Sequence, residues 1–158
     1  MLQKDAGNLS DVLKVMVQFE LAVAELYRAC GQAYSADREF WAEMEKAEIR
    51  HAQNISKMSQ IMSGKPEAFE TGRSFKSGAI RMAILGIKSN IERIKRKEIT
   101  EKKMLFIGRD LEHSILESNY GEMVKTDETE FQSLLREIVS DTIEHREYLD
   151  IKINQTVS

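Results

Sequence analysis

Glutamate and histidine side chains interrupt the apolar faces of four long segments whose hydrophobic residues recur at helical spacing. The interrupting residues are Glu20, Glu48, His51, Glu112 and His145. Burying a carboxylate without a partner is costly, so interruptions in all four segments need a common explanation. Carboxylate oxygens together with imidazole nitrogens suit iron, manganese or zinc, and carboxylates also bridge two such ions. The set therefore predicts one metal-binding layer inside a helical core.

The spacing within the second segment is the most specific evidence for this metal-binding layer. Glu48 and His51 are three residues apart, so both project from one helix face toward the same point. Taken singly, each of the five residues has a simpler interpretation, because a glutamate can reach solvent and a core histidine can be satisfied by a hydrogen bond. Tyr27 lies seven residues after Glu20 on the same face, and it would either donate a hydrogen bond to a carboxylate ligand or fill the core. Cys30 is expected to be a buried, unreactive thiol.

The segments that carry these residues are predicted to be helices. Their apolar residues recur three and four apart, and no stretch alternates with period two for long enough to form a sheet. The first helix is predicted to start after Asn8 or Ser10, which are good N-caps, and to run to about Tyr34. Gly64 followed by Pro66 marks the end of the second helix. The second, third and fourth helices are predicted at about residues 38–64, 100–124 and 128–154.

The connection between the second and third helices is long, at about residues 64–100, and contains a shorter predicted helix at about 77–96. Two long helices, a crossover and two more long helices predict an all-α four-helix bundle, with one domain over residues 1–158. The crossover helix has a basic face, which we interpret as solvated because no aromatic residues are interleaved with it. Its basic residues are Arg81, Lys88, Arg93, Lys95, Arg96 and Lys97.

Composition excludes several classes of protein. The chain has 158 residues, a net charge of −3 and a single cysteine, which argues against nucleic-acid binding and against an internal disulfide framework or a Cys-x-x-Cys metal site. No apolar run is long enough to cross a membrane, and the N-terminus has no signal-peptide core. We therefore expect a cytoplasmic protein that binds neither membrane nor nucleic acid. A homodimer is a separate expectation.

Three motifs resemble the rubrerythrin branch of the ferritin-like superfamily. They are Glu20-x6-Tyr27, the run from Phe40-Trp41-Ala42-Glu43 to Glu48-Ile49-Arg50-His51-Ala52, and Glu112-His113 followed by Tyr120. The resemblance implies a ferritin-like bundle in which carboxylates bridge two iron ions that react with peroxide or dioxygen. It implies that Glu20 and Glu112 are terminal ligands and that Glu48 is a bridging ligand. It also implies nitrogen ligands at His51 and His145, with Tyr27 and Tyr120 as hydrogen-bond partners of the ligands.

The sequence also departs from the family pattern. A second Glu-x-x-His is expected in the fourth helix, but Thr142 stands three residues before His145, so Asp141 or Glu144 would have to substitute. Ile115 replaces a further glutamate of rubrerythrins proper. The rubredoxin module is missing, so redox turnover would need an external donor such as a rubredoxin-type protein. A weakened di-iron site, a single-metal site holding iron, manganese or zinc, and an empty site all stay open. With an empty site the chain would be a non-catalytic bundle acting as a structural or interaction protein.

Overall fold

The computed structural model describes residues 2–72, 77–117 and 120–157, and nearly all of them are helical. The predicted all-α class is confirmed. The helices are α1 (Leu2–Ala33), α2 (Arg38–Gly64), α3 (Ser77–Lys95), α4 (Glu101–Glu117), α5 (Tyr120–Met123) and α6 (Thr129–Val157). Residues 73–76 of the predicted crossover and 118–119 of the predicted third helix lie outside the described residues. Within the described ranges, no helix is both long enough and apolar enough to cross a bilayer.

The long helices pack in pairs. A short 3-10 turn at Ser35–Asp37 connects α1 to α2, and these two helices pack along each other, as do α4 and α6. Helix α2 also packs against α6, and α3 packs along α1. The apolar faces meet in one buried core that includes Leu13, Trp41, Ile55, Leu105 and Leu149. The same faces carry the polar residues singled out from the sequence, so the pairing of helices sets their positions.

The ends of α2 and α3 follow the sequence signals. Helix α2 ends at Gly64, as predicted, and Pro66 begins a short 3-10 turn that turns the chain away. Helix α3 spans Ser77–Lys95, close to the predicted crossover helix. Beyond it Lys97 adopts a left-handed conformation with φ 58°. The Glu98 N–H donates to the Arg93 carbonyl at 2.9 Å, which satisfies one of the last helical carbonyls.

The start of α1 differs from the prediction. The helix begins at Leu2, whereas the sequence predicted a start after Asn8 or Ser10. Asparagine and serine favour N-cap positions but cost only about 0.5 kcal/mol inside a helix. No proline separates them from Leu2, so the helix continues through both.

Helices α4 and α5 cover the range of the predicted third helix on either side of residues 118–119, which lie outside the described residues. Helix α5 leads into a short strand, β2 (Val124–Lys125). This strand pairs antiparallel with β1 (Glu70–Thr71). The sequence did not predict the pair, because two-residue strands are too short to show alternation. Next to β1, the Gly72 N–H donates to the Met123 carbonyl at 2.9 Å.

Candidate metal centre

Helices α1, α2, α4 and α6 contribute to one polar cluster in the core. Glu20 comes from α1, Glu48 and His51 from α2, Glu112 from α4, and His145 from α6. The four residues from α1, α2 and α4 are completely buried, and His145 is only 6% exposed. The structure therefore brings together all five residues that the sequence predicted as metal ligands, at the same level of the core.

The cluster divides into two groups that share Glu48. In the first group, His51 Nδ1 lies 3.4 Å from Glu48 Oε2 and 3.9 Å from Glu20 Oε2. In the second, His145 Nδ1 lies 3.2 Å from Glu48 Oε1 and 3.8 Å from Glu112 Oε1. The candidate ligand atoms of each group lie within 4.8 Å of one another. Glu48 thus presents one oxygen to each group, as a carboxylate bridging two ions would.

Several atoms at the centre of this cluster have no hydrogen-bond partner. Among the described residues, the unpartnered buried atoms include Glu20 Oε2, Glu48 Oε2, Glu112 Oε2 and His51 Nδ1. A buried polar group without a partner costs free energy, and native proteins pair most such groups with protein, water or an ion. Three carboxylate oxygens and one imidazole nitrogen that converge in this way fit a site for divalent metal ions.

Two tyrosines cross between the helix pairs to reach the carboxylates. The Tyr27 hydroxyl of α1 donates to Glu112 Oε1 at 2.7 Å, and the Tyr120 hydroxyl of α5 donates to Glu20 Oε1 at 3.5 Å. Burial and the neighbouring carboxylates raise the pKa of both tyrosines well above the usual value. Both therefore stay protonated and act as hydrogen-bond donors. For Tyr27, the structure settles the choice left open by the sequence: it is buried in the core and also contacts a candidate ligand.

Asp141 takes a different position from the one expected of a substitute ligand. Its Oδ2 lies 3.2 Å from His51 Nε2, the ring nitrogen on the far side from the cluster. Arg50 lies 3.7 Å from the same oxygen. A carboxylate at the outer nitrogen of a histidine fixes the ring and directs its other nitrogen toward a metal. The sequence contains Asp141 as a candidate, but its contact with His51 depends on how α6 packs against α2.

Glu144 and Thr142 do not supply the missing carboxylate. Glu144 is exposed and accepts a hydrogen bond from the Tyr148 hydroxyl, because the rotation of α6 that turns His145 inward turns Glu144 outward. Thr142 is completely buried, and its hydroxyl donates to the Ile138 carbonyl at 2.7 Å. Such a bond to the preceding helical turn occupies the threonine proton. Among the residues that the structure describes, α6 therefore contributes no carboxylate to the two ligand groups.

Proton positions in the cluster follow from its burial. Burial and the charges of Glu48 and Glu112 raise the pKa of Glu20 well above its usual value. Burial and the charge of Glu48 raise the pKa of Glu112 to about 7. Burial also opposes ionisation of Glu48, but protonated Glu20 and the two imidazoles beside it outweigh burial and hold the pKa of Glu48 below its ordinary range.

Neighbouring carboxylates favour the charged form of both histidines. Burial would lower the pKa of His145, but the neighbouring carboxylates of Glu112 and Glu48 raise it to about 10. The pKa of His51 is also raised, because Glu48 and Asp141 outweigh burial. A cluster without metal thus holds protons on Glu20 and on the imidazoles. A divalent ion that binds these atoms must displace those protons, which couples binding to pH.

The lone cysteine is separate from this chemistry. Cys30 is completely buried, and burial together with nearby Glu101 raises the pKa of its thiol far above the usual value. This agrees with the unreactive thiol expected from the sequence. Nearby Trp41 fills the core and donates its indole N–H to Glu101 Oε1 at 3.3 Å.

Comparison with known proteins does not identify the chain. No family model, no curated protein and no solved structure matches it.

Proposed function

We propose that this chain is a ferritin-like four-helix bundle that binds two divalent metal ions in the Glu/His cluster. One ion would be held by Glu20, Glu48 and His51, and the other by Glu48, Glu112 and His145. The observation that carries the proposal is the convergence of unpartnered buried carboxylate and imidazole atoms from α1, α2 and α4, beside which α6 places His145. The bridging role of Glu48 is supported by its two oxygens, which face different histidines.

Iron is the metal we propose, with manganese and zinc as alternatives that the same nitrogen and oxygen donors accept. When bound, iron would supply electron transfer to peroxide or dioxygen, as the rubrerythrin resemblance implies. The protein's own side chains would hold the ligands. Asp141 orients His51 from behind, and the two tyrosines fix Glu112 and Glu20 by hydrogen bonds.

Charge balance supports a two-ion site whose metal affinity is lower than that of a site with four carboxylates. Glu20, Glu48 and Glu112 would balance three of the four positive charges of two divalent ions. Asp141 adds a fourth negative charge through its contact with His51, without itself lying among the ligand atoms. Because Thr142 contributes no carboxylate, His145 is the only α6 side chain in the proposed ligand set.

Turnover would also need a source of electrons. The 158 residues contain one cysteine, which is too few for a rubredoxin-type iron site. We therefore include in the proposal an external electron donor such as a rubredoxin-type protein. The homodimer expected from the sequence stays a prediction, which sedimentation of the purified protein would check.

The redox part of the proposal can be tested by mixing. Protein loaded with ferrous iron under anaerobic conditions is mixed with hydrogen peroxide or dioxygen, and loss of ferrous iron is followed with a chelating dye. We expect oxidation faster than that of free ferrous iron, and slower in Asp141→Asn, which weakens the orientation of His51. Asp110→Asn, which changes an exposed aspartate outside the cluster, is the control. Oxidation at the rate of free iron in the wild type would contradict the proposal.

A metal-free structural role is the second candidate, and one observation favours it. His145 Nδ1 already lies within hydrogen-bond distance of Glu48 Oε1, at 3.2 Å. With a proton on Glu20 as well, part of the cluster is satisfied without an ion. In that case the chain would act as a structural or interaction protein, and removing metal would change neither its fold nor its stability.

A further inference from the structure

A cavity of about 500 Å³ lies between α6 and the α4–α5 segment. Its inner wall is made of buried apolar residues, including Ile115, Leu135 and Ile138. Val139 and Ile143 line it as well and are 37% and 41% exposed, so they mark its opening to solvent. This volume is in the range of small-molecule sites.

Two residues that line the cavity also adjoin the candidate metal centre. Tyr120 and Thr142 both line it and are both buried. Tyr120 is the residue whose hydroxyl lies 3.5 Å from Glu20, and Thr142 stands where the fourth helix lacks its carboxylate. The Thr142 hydroxyl is already bonded to the Ile138 carbonyl. The inner end therefore has little capacity for polar recognition, and it suits the apolar part of a ligand.

One cation lies at the edge of this apolar cavity. Arg136 lines it, and its side chain is exposed. Within the part of the chain that the structure describes, Arg136 makes no ion pair or hydrogen bond. A guanidinium can take a carboxylate through two parallel hydrogen bonds. A ligand with an apolar chain and a terminal carboxylate would match both the walls and the edge.

We propose that this cavity binds a medium-chain aliphatic monocarboxylate, with its chain along Ile138 and Ile143 and its carboxylate at Arg136. Such binding does not depend on metal. Because Tyr120 and Thr142 line the cavity beside the cluster, the bound molecule would be the substrate of the metal centre. This second step rests on the proposed function.

The binding test uses the full chain without metal and octanoate as the probe, measured by isothermal titration calorimetry. We expect saturable binding with one site per chain. Val139→Trp and, separately, Ile143→Trp should fill the opening and weaken binding by at least about tenfold. Leu85→Trp changes an exposed residue of α3 outside the cavity and should bind octanoate like the wild type. Circular dichroism confirms that each variant is folded.

The role of Arg136 is tested by a pair of probes. Arg136→Gln should weaken binding of octanoate but leave binding of octanol unchanged, because only octanoate carries the charge. Failure of octanoate to saturate the wild type, or equal binding by both tryptophan variants and the wild type, would overturn the proposal. A wild-type dimer that Val139→Trp dissociates would also overturn it, because a second copy would then cover the cavity. Metal content is measured separately. Failure of octanoate binding therefore does not decide whether the cluster binds metal, and absence of metal does not decide whether the cavity binds octanoate.

Discussion

Glu48 is the residue at which the two halves of the cluster meet. Its Oε1 lies 3.2 Å from His145 and its Oε2 lies 3.4 Å from His51. If it bridges two ions, Glu48→Gln should reduce binding of both, because an amide carries no charge and replaces one ligand oxygen with an N–H donor. Elemental analysis after reconstitution measures this. Glu144→Gln, on the exposed side of α6, should retain the wild-type metal content, and full occupancy in Glu48→Gln would rule out the bridge.

Thr142 is the second residue at which the proposed metal site can be tested. Thr142→Glu would supply the carboxylate that the α6 side lacks, and the adjoining cavity gives a longer side chain space. We expect metal affinity to rise by at least about tenfold, which is the scale on which even indirect ligand partners act. Competition with a calibrated chelator measures the affinity. Thr142→Val should not raise the metal affinity. An unchanged affinity in Thr142→Glu would contradict the placement of residue 142 beside the metal ligands.

At the scale of single residues, the sequence predicted which side chains meet but not how each is used. The five candidate ligands were predictable because polar residues on an apolar helix face are costly and stand out from the helical spacing. The contact of Asp141 with His51 was not predictable, because it joins residues 90 apart in the chain. It depends on the rotation of α6 against α2, which helical periodicity alone does not determine.

Among the elements, the short strand pair depends on a glycine. A Cβ added at Gly72 would lie 1.9 Å from the Glu122 carbonyl oxygen, so the backbone would have to move. Gly72→Ala should therefore destabilise the protein by about 1–3 kcal/mol. Thermal unfolding followed by circular dichroism measures the change.

Gly86 provides the matched control for that substitution. A Cβ added at this position in α3 would meet nothing within 4 Å. Gly86→Ala should therefore stabilise the protein by up to about 1 kcal/mol, because alanine favours the helix interior. If both variants shift the unfolding temperature in the same direction, the close approach at Gly72 is not the cause.

At this scale the long helices were easier to predict than their ends and connections. Apolar spacing over many turns defines α2, α3 and α6, and the Gly64 and Pro66 signals define where α2 stops. The β1–β2 pair joins residues more than 50 apart with only two residues in each strand. Such a pair is produced by tertiary packing and leaves no local pattern in the sequence.

For the whole molecule, the metal-free protein should lose stability as pH rises. The pKa of Glu20 and of Glu112 is raised on folding, the latter to about 7, and that of His145 is raised to about 10. The folded state therefore binds more protons than the unfolded state over this range, and stability falls as these protons are lost. We expect a lower unfolding temperature at pH 9 than at pH 6 in the presence of a chelator.

Metal should reverse this trend, because ions bind the deprotonated carboxylates and imidazoles. The same thermal scans with a divalent ion should show a stabilisation that is larger at pH 8 than at pH 6. A stabilisation independent of pH would show that the ion does not compete with the protons of the cluster.

The number of metal ions that the cluster holds is the measurement that bears most directly on the proposed two-ion site. Protein purified anaerobically and reconstituted with ferrous iron is freed of excess metal and analysed for iron, manganese and zinc per chain. We expect two divalent ions per chain in the wild type, because Glu48 belongs to both groups of ligands. A content well under one ion per chain, even after reconstitution, would contradict it.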